Sequence, residues 1–340
     1  MSPMTDPPHP QSALDPFDKG PVQIIRIEKT LFRELVGCPS FLGKVGRVYR
    51  NGFDIVREDG RFIHFRAGKW LHAPFGAILD RPIREWVEET LLEEEDLFYR
   101  QGQWLVRKPE NGCSIRLEPT HALDLKRTIR PSPPDSETLR AWIQCLAEEI
   151  LRWGKFQGIA GTLTLLKEEL PGIFSHRLIP QSFWSRNAAR RVMAFVQSAI
   201  SRDLEAFERA WETLLGLGPG LTPACDDFLV GFLAVHKVFS SSFNDELEDY
   251  ELKRRLREGA RMKTVPIAYQ FLTYALDGVF SEILYSALDD LAIPGHREDG
   301  DRHVHPERNG TQPIEYFLKW GHSSGTDTLT GAIFGFWTIT

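Results

Sequence analysis

The chain has 340 residues, enough for about two domains, and 42% hydrophobic with 26% charged residues is the balance of a globular chain with a core to bury. Lys and Arg total 41 against 47 Asp and Glu, a net charge of −6. That sign argues against a nucleic-acid coat or a polybasic membrane anchor, since both rest on a cationic surface. Cys38, Cys113, Cys145 and Cys225 lie far apart with no CxxC pair. They read as reduced thiols rather than disulfides or a zinc cage, and the expected compartment is the cytoplasm.

Residues 1–21 hold Pro3, Pro7, Pro8, Pro10 and Pro16 and no apolar h-region, which predicts a disordered leader rather than a secretory signal. The most apolar helical stretch, Phe228–Phe239, is interrupted by Gly231, His236 and Lys237 and is too short to span a bilayer. From residue 22 to about 130 the chain reads as β-rich. Lys44–Arg50, Phe53–Arg57 and Arg61–Arg66 are short β-branched and aromatic runs, joined by Asn51–Gly52 and Asp59–Gly60, dipeptides suited to tight hairpin turns. A second hairpin is expected at Asp96–Tyr99 and Trp104–Lys108, a further strand at Cys113–Glu118, and an acidic helix at Ile83–Glu95. Its run Glu88–Asp96 reads as a solvated face. Many short strands with tight turns predict a small barrel or sandwich.

Pro131–Pro134 is a stiff linker, and Asp135 or Ser136 is placed to cap the first helix beyond it. Residues 135–340 then carry helical patterns at Glu137–Trp153, Ser182–Ile200, Asp203–Leu215, Pro223–Phe239, Asp245–Met262, Pro266–Leu291, Pro313–Lys319 and Thr326–Trp337. Gly295–Gly310 reads as a polar, charged loop; its His296, His303 and His305 are weak metal candidates. The expected fold class is α+β: a small β-rich domain followed by an all-α helical domain.

Two helix starts carry the chemistry. The first is Gly216-Leu-Gly-Pro-Gly-Leu-Thr-Pro-Ala-Cys-Asp-Asp227. Gly216 fits a helix C′ position, Thr222 an N-cap and Pro223 a first helical residue. Gly218 and Gly220 exceed what such punctuation needs. Three alternating glycines let backbone N–H groups converge beside the positive end of a helix, which makes an anion site. The second start is Gly321-His-Ser-Ser-Gly-Thr-Asp-Thr-Leu-Thr-Gly331, where Ser323 or Ser324 is placed to cap and Gly325 and Thr326 open the helix. Asp227 and Asp327 are each followed four residues later by a glycine on the same helical face, Gly231 and Gly331. We therefore expect both starts to face one pocket, with Thr222, Asp227, Ser324 and Asp327 around it. The alternative is that the glycines serve only helix packing. Carboxylates beside an anion call for compensation, and Mg²⁺ held by Asp226, Asp227 or Asp327 together with substrate oxygens would supply it. Asp226 and Asp227 are adjacent, so they point about 100° apart and cannot both face one ligand. His322 beside two serines invites a nucleophile–base reading that sequence neighbours seldom satisfy. Cys225, in a first helical turn beside Asp226, reads as an inert small residue.

These motifs, GLGPGLTP at Gly216–Pro223 with Asp226-Asp227 and GHSSGTDTLTG at Gly321–Gly331, resemble a bacterial family that includes the AllH-type subunit of oxamate carbamoyltransferase. Looser echoes lie at Lys263-Thr264 and Ala275–Glu282, and the β-rich start matches the family's layout. The family usually has Ser-Gly where this chain has Ala224-Cys225, so a hydroxyl is missing from the expected site. The resemblance implies a subunit acting with partner subunits in carbamoyl transfer between carbamoyl phosphate and oxamate or a similar acceptor, in ureide catabolism. Gly325–Thr328 is also reminiscent of the all-α ADP-ribosylglycohydrolases, which hold Mg²⁺ with Asp and Thr side chains. A non-catalytic scaffold is the third reading.

Overall fold

The structure is a computed structural model that describes residues 22–37, 40–49, 51–81, 96–100, 103–106, 114–117, 122–125, 134–174, 178–239, 243–291 and 313–339. The expected leader, the helix at Ile83–Glu95, most of the Pro131–Pro134 linker and the loop at Gly295–Gly310 lie outside these residues.

Strands β1 (Val22–Glu28), β2 (Ser40–Tyr49), β3 (Gly52–Arg57), β4 (Phe62–Ala67), β5 (Gly76–Leu79), β6 (Asp96–Arg100), β7 (Gln103–Val106), β8 (Ser114–Leu117) and β9 (Ala122–Leu123) form one sheet, with helix α1 (Lys29–Gly37) after β1. The strand order is β5-β4-β3-β2-β6-β7-β8-β1-β9, and β1 also pairs with β5. Strands β1–β8 therefore close into a ring, with the two-residue β9 added beside β1, so that closure removes most of the edges an open sheet would have to protect. Of the two expected architectures, the barrel is the one observed. Strand alternation decides what faces where. Val45, Phe53, Ile55, Ile63 and Phe65 are buried in one apolar cluster with Ile24 and Ile27, and Phe53 stacks on Phe65 at 5.1 Å. Asp54, His64 and Arg66 occupy the intervening positions of β3 and β4 and so point to the outer face.

The described residues from 134 to 339 are mostly helical: α2 (Ser136–Trp153), a 3₁₀ helix (Ala160–Leu166), α3 (Pro171–Phe174), α4 (Phe183–Ser201), α5 (Leu204–Leu214), α6 (Ala224–Val238), α7 (Phe243–Leu247), α8 (Tyr250–Lys263), α9 (Pro266–Leu276), α10 (Glu282–Leu291), α11 (Pro313–Leu318) and α12 (Ser324–Thr338). The fold is α+β, as expected. Asp135, Asp203 and Asp249 each accept an amide N–H three residues on, and Ser182 forms a capping box with Ser185. Two long expected helices are each split. Asp249 caps a new helix inside Asp245–Met262, and Gly278, at φ 74°, turns the chain inside Pro266–Leu291. No described helix is long and apolar enough to cross a membrane.

Helices α6 and α12 form the centre and are buried along almost their whole lengths. They run parallel. Thr222 and Ser324 meet at their starts, 3.2 Å apart, and His236 meets Thr338 at their ends, 3.0 Å apart. Glycine makes the crossing close. A Cβ at Gly231 would lie 1.8 Å from the Thr328 carbonyl oxygen, and one at Gly331 would lie 1.9 Å from that of Phe228. Around the pair, Phe195 from α4 meets Phe207 and Trp211 of α5 and Phe228 and Phe232 of α6.

The barrel docks on the helical region through apolar contacts, with Leu71, Ile78 and Leu125 in the helical core cluster, and through polar and aromatic ones. The Gln270 side-chain amide exchanges two hydrogen bonds with the Phe62 backbone, at 2.6 and 2.9 Å. Glu282 accepts the Leu71 amide at 2.9 Å and pairs with Arg26, while Phe75 packs against Phe271 at 4.8 Å.

Because both crossing glycines abut backbone rather than side chains, Gly231→Ala and Gly331→Ala are each expected to lose about 2 kcal/mol or more. Gly172→Ala, where nothing lies within 4 Å of the added methyl, serves as the near-neutral control. Urea-unfolding midpoints measure the contrast, and equal midpoints for all three variants would refute the packing account.

Candidate functional site

A cavity of about 730 Å³ lies between the barrel and the starts of α6 and α12. Its helical wall carries Thr222, Asp227, Ser324 and Thr328; its barrel wall carries Tyr49, His64, Arg66 and His72. Apolar side chains such as Phe271, Phe280 and Trp320 fill the space between these polar ends.

The helical wall is built by the paired helix starts. Thr222 Oγ1 donates to Asp227 Oδ2 at 2.9 Å and also meets Ser324 Oγ. Thr222 is therefore not the expected N-cap. Position 223 is the N-cap of α6 and Ser323 that of α12, and neither side chain caps its helix. The positive ends of two parallel helices thus point toward one place without side-chain acceptors. Burial pushes the Asp227 carboxyl well up from its ordinary value, and the nearby Asp327 charge adds to this against the opposing hydrogen bonds from Ser324 and Thr222. Asp227 is thereby held toward its neutral, hydrogen-bond-donating form.

The other predicted residues are placed elsewhere. Asp226 accepts the Gly216 amide at 3.0 Å and the Thr264 hydroxyl, so it pins the glycine turn to the end of α8; burial raises its carboxyl to about 6. The adjacent aspartates diverge, as their helical positions require. Gly216, Gly218 and Gly220 adopt the expected positive φ but do not line the cavity; their lost side chains would strike Lys263, Ala224 and Thr222. Asp327 also turns away. It accepts the Ile159 amide at 2.8 Å, and a Cβ at Gly158 would lie 2.1 Å from its Oδ2. Burial pushes it up to about 7 against the Ile159 amide, the Ser323 hydroxyl and the Ala160 amide. Thr326 accepts the Lys155 amide at 2.9 Å, and Gly325 gives α12 room against the Phe317 carbonyl. His322 is exposed and does not line the cavity. Cys225 is fully buried and its thiol is pushed up by burial and by Asp226, in keeping with an inert residue. Asp226, Asp227 and Asp327 do not form one donor set for Mg²⁺, and no three His, Cys, Asp or Glu side chains come together as metal ligands among the described residues.

The barrel wall was not found from sequence. Asp54, His64 and Arg66 are the polar members of alternating strands, a pattern that also describes an ordinary solvated face. Asp54 is only 1% exposed. Its Oδ2 accepts the Tyr49 hydroxyl at 2.5 Å and its Oδ1 meets His64 Nδ1 at 2.6 Å. Arg66 has a buried Nε without a partner, and no carboxylate pairs with its guanidinium among the described residues. His72, between Arg66 Nη1 at 3.5 Å and the Tyr316 hydroxyl at 3.4 Å, is depressed to about 2 chiefly by burial and by the charge of Arg66, so it stays neutral.

Barrel and helices together define an α+β protein with a mixed apolar and polar cleft at their junction. Residues 214–336, little more than a third of the chain, match the family model described as oxamate carbamoyltransferase subunit AllH, the family that the two glycine motifs indicated. No solved structure matches the chain.

The buried carboxyls give a pH signature. A carboxyl whose native pKa is raised stabilises the fold fully below the unfolded value near 4, and that stabilisation is lost as pH rises through the native value. For Asp327 the window runs from about 4 to about 7. Relative to wild type, Asp327→Asn should therefore gain stability across that window by on the order of 2–4 kcal/mol. Unfolding free energies at pH 4.0 and pH 8.0 (about one unit beyond the window at the upper end) measure it, and parallel profiles would contradict the burial account.

Proposed function

We propose that this chain is a subunit of a carbamoyltransferase-type assembly and that its interdomain cleft binds a small anion such as carbamoyl phosphate or oxamate. The observation that carries the reading is Arg66. A guanidinium walled into a cleft with no carboxylate partner among the described residues is costly unless a ligand anion completes it. The helical wall fits the same ligand. Two parallel helix starts without side-chain caps favour negative charge, each by about 0.3–1 kcal/mol, and Thr222 and Ser324 add hydroxyls. Asp227, held toward its neutral form by burial, repels an anion less than an ionised carboxylate would. The match to the AllH family supports carbamoyl phosphate and oxamate as the anions to test, and other carbamoyltransferase subunits as the partners.

Titration calorimetry with carbamoyl phosphate, oxamate and inorganic phosphate, on the chain alone and with its partner subunits, tests the reading. Ligand at 100 times Kd should raise stability by about 2.7 kcal/mol. Arg66→Gln should weaken binding by about tenfold or more, and Thr222→Val by a smaller factor, with little change in unfolding midpoint. Absence of binding by any of the three, in either form, would leave the scaffold reading in its place.

A further inference from the structure

We infer that His64, on the barrel wall of the cleft and oriented by Asp54, is the proton-transferring group for chemistry on the bound anion; the inference rests on the proposal that the cleft binds such an anion. Its placement comes from the strands. Asp54 of β3 and His64 of β4 are directly paired in register, and Tyr49 of β2 closes against the same carboxylate. With Asp54 accepting from Nδ1, the imidazole is fixed in the tautomer whose Nε2 lone pair is free to accept a proton. No described residue hydrogen-bonds Nε2, and the ring lines the cleft. Tyr49 meets the ring edge-on at 5.9 Å and limits its rotation.

The charged and titratable groups around His64 sort into distinct tasks. Asp54 and Tyr49 stand behind it on the barrel. Arg66, two residues along the same strand face, supplies the cation for the ligand, and neutral His72 packs beside Arg66. Across the cleft, Asp227 is engaged by Thr222 and Ser324, and Lys319 pairs with Glu315 at 2.5 Å. Among these groups, His64 alone combines an orienting carboxylate with a nitrogen open to the cavity.

In carbamoyl transfer, the acceptor's nitrogen lone pair forms a bond to the carbamoyl carbon, and the bond from that carbon to the bridging phosphate oxygen breaks. Phosphate leaves with the electron pair. The proton shed by the acceptor nitrogen passes to Nε2 of His64, and the reverse reaction returns it. His64 is then the catalytic base, and Asp54 and Tyr49 are positioning residues.

The test uses the chain assembled with its partner subunits, measuring phosphate release from carbamoyl phosphate in the presence of oxamate and, separately, carbamoyl phosphate binding. His64→Ala should lower kcat by about 10²–10⁴-fold while Kd changes by less than about threefold. The rise of kcat with pH on the acidic side should vanish in the variant, and added imidazole should restore part of the rate. Asp54→Asn should lower kcat by about 10²-fold or more through the wrong tautomer. Should His64→Ala fail to fold, His64→Gln, which keeps a hydrogen bond toward Asp54, carries the same comparison. A variant with normal binding and kcat within about threefold of wild type overturns the role of His64 and leaves the cleft reading standing. A wild-type assembly that neither binds carbamoyl phosphate nor releases phosphate overturns the cleft reading and this assignment with it.

Discussion

At the centre of the helical domain, the Phe228 carbonyl occupies the space that a side chain at residue 331 would need, and the Thr328 carbonyl does the same at residue 231. Two glycines thus let a pair of parallel helices touch backbone to backbone. The contact is reciprocal, so it fixes axial register as well as distance: sliding either helix would drive a neighbouring side chain into a carbonyl. Register decides where the helices begin, and their beginnings form one wall of the cleft. Thr222 reaches Ser324 because the crossing about nine residues later permits no other alignment.

Both helix starts would favour a negative charge, and the protein treats them differently. Asp226 and Asp327 turn their carboxyls inward, toward Gly216 and Ile159, and so organise the loops that support the site. Asp227 alone faces the cleft, and burial biases it toward neutrality. In the proposed complex, ligand anion and protein carboxyl would therefore share a small volume without full mutual repulsion. Arg66 opposite then sets the sign of the site.

The α+β division and both helix starts were legible because their signals are local. Hairpin dipeptides mark the barrel, and Asp or Ser at a helix start with 3.6-residue periodicity marks the helices. Sequence also brought Thr222, Asp227 and Ser324 to one place by a correct inference that paired helix starts converge. It misassigned Asp327 because identical Asp-x-x-x-Gly spacing says nothing about which neighbour a carboxyl meets; the partner, Ile159, lies 168 residues away. The glycine nest failed for a related reason. Gly216, Gly218 and Gly220 have the anticipated backbone, but the Gly216 amide is consumed by Asp226 and the Cys225 amide by the Leu217 carbonyl at 2.9 Å. Asp54, His64 and Arg66 stayed invisible because burial of an outward strand face is a property of domain docking, not of the strand.

Docking is also what makes the barrel half of the site usable. His64 and Arg66 lie outside the stretch that matches the AllH family, on a barrel with an apolar cluster of its own. They belong to the cleft only while the barrel keeps its orientation on the helices, to which Leu71, Ile78 and Leu125 join it in one buried cluster. A purely apolar interface would tolerate sliding, since dispersion is non-directional. Beside the apolar contacts of Leu71, Ile78 and Leu125 with the helical core, directional ones are present: the Gln270 amide completes the β4 backbone at Phe62, and Glu282 joins the Leu71 amide to Arg26. Hydrogen bonds of this kind add little net stability, yet each forfeits its full desolvation cost if the partner shifts by an ångström or two. Phe62 begins the strand that carries His64 and Arg66, so the Gln270 clamp acts on the same element as the residues it must aim. That placement converts modest interdomain bonds into positional control over the two cleft residues that the helices cannot reach.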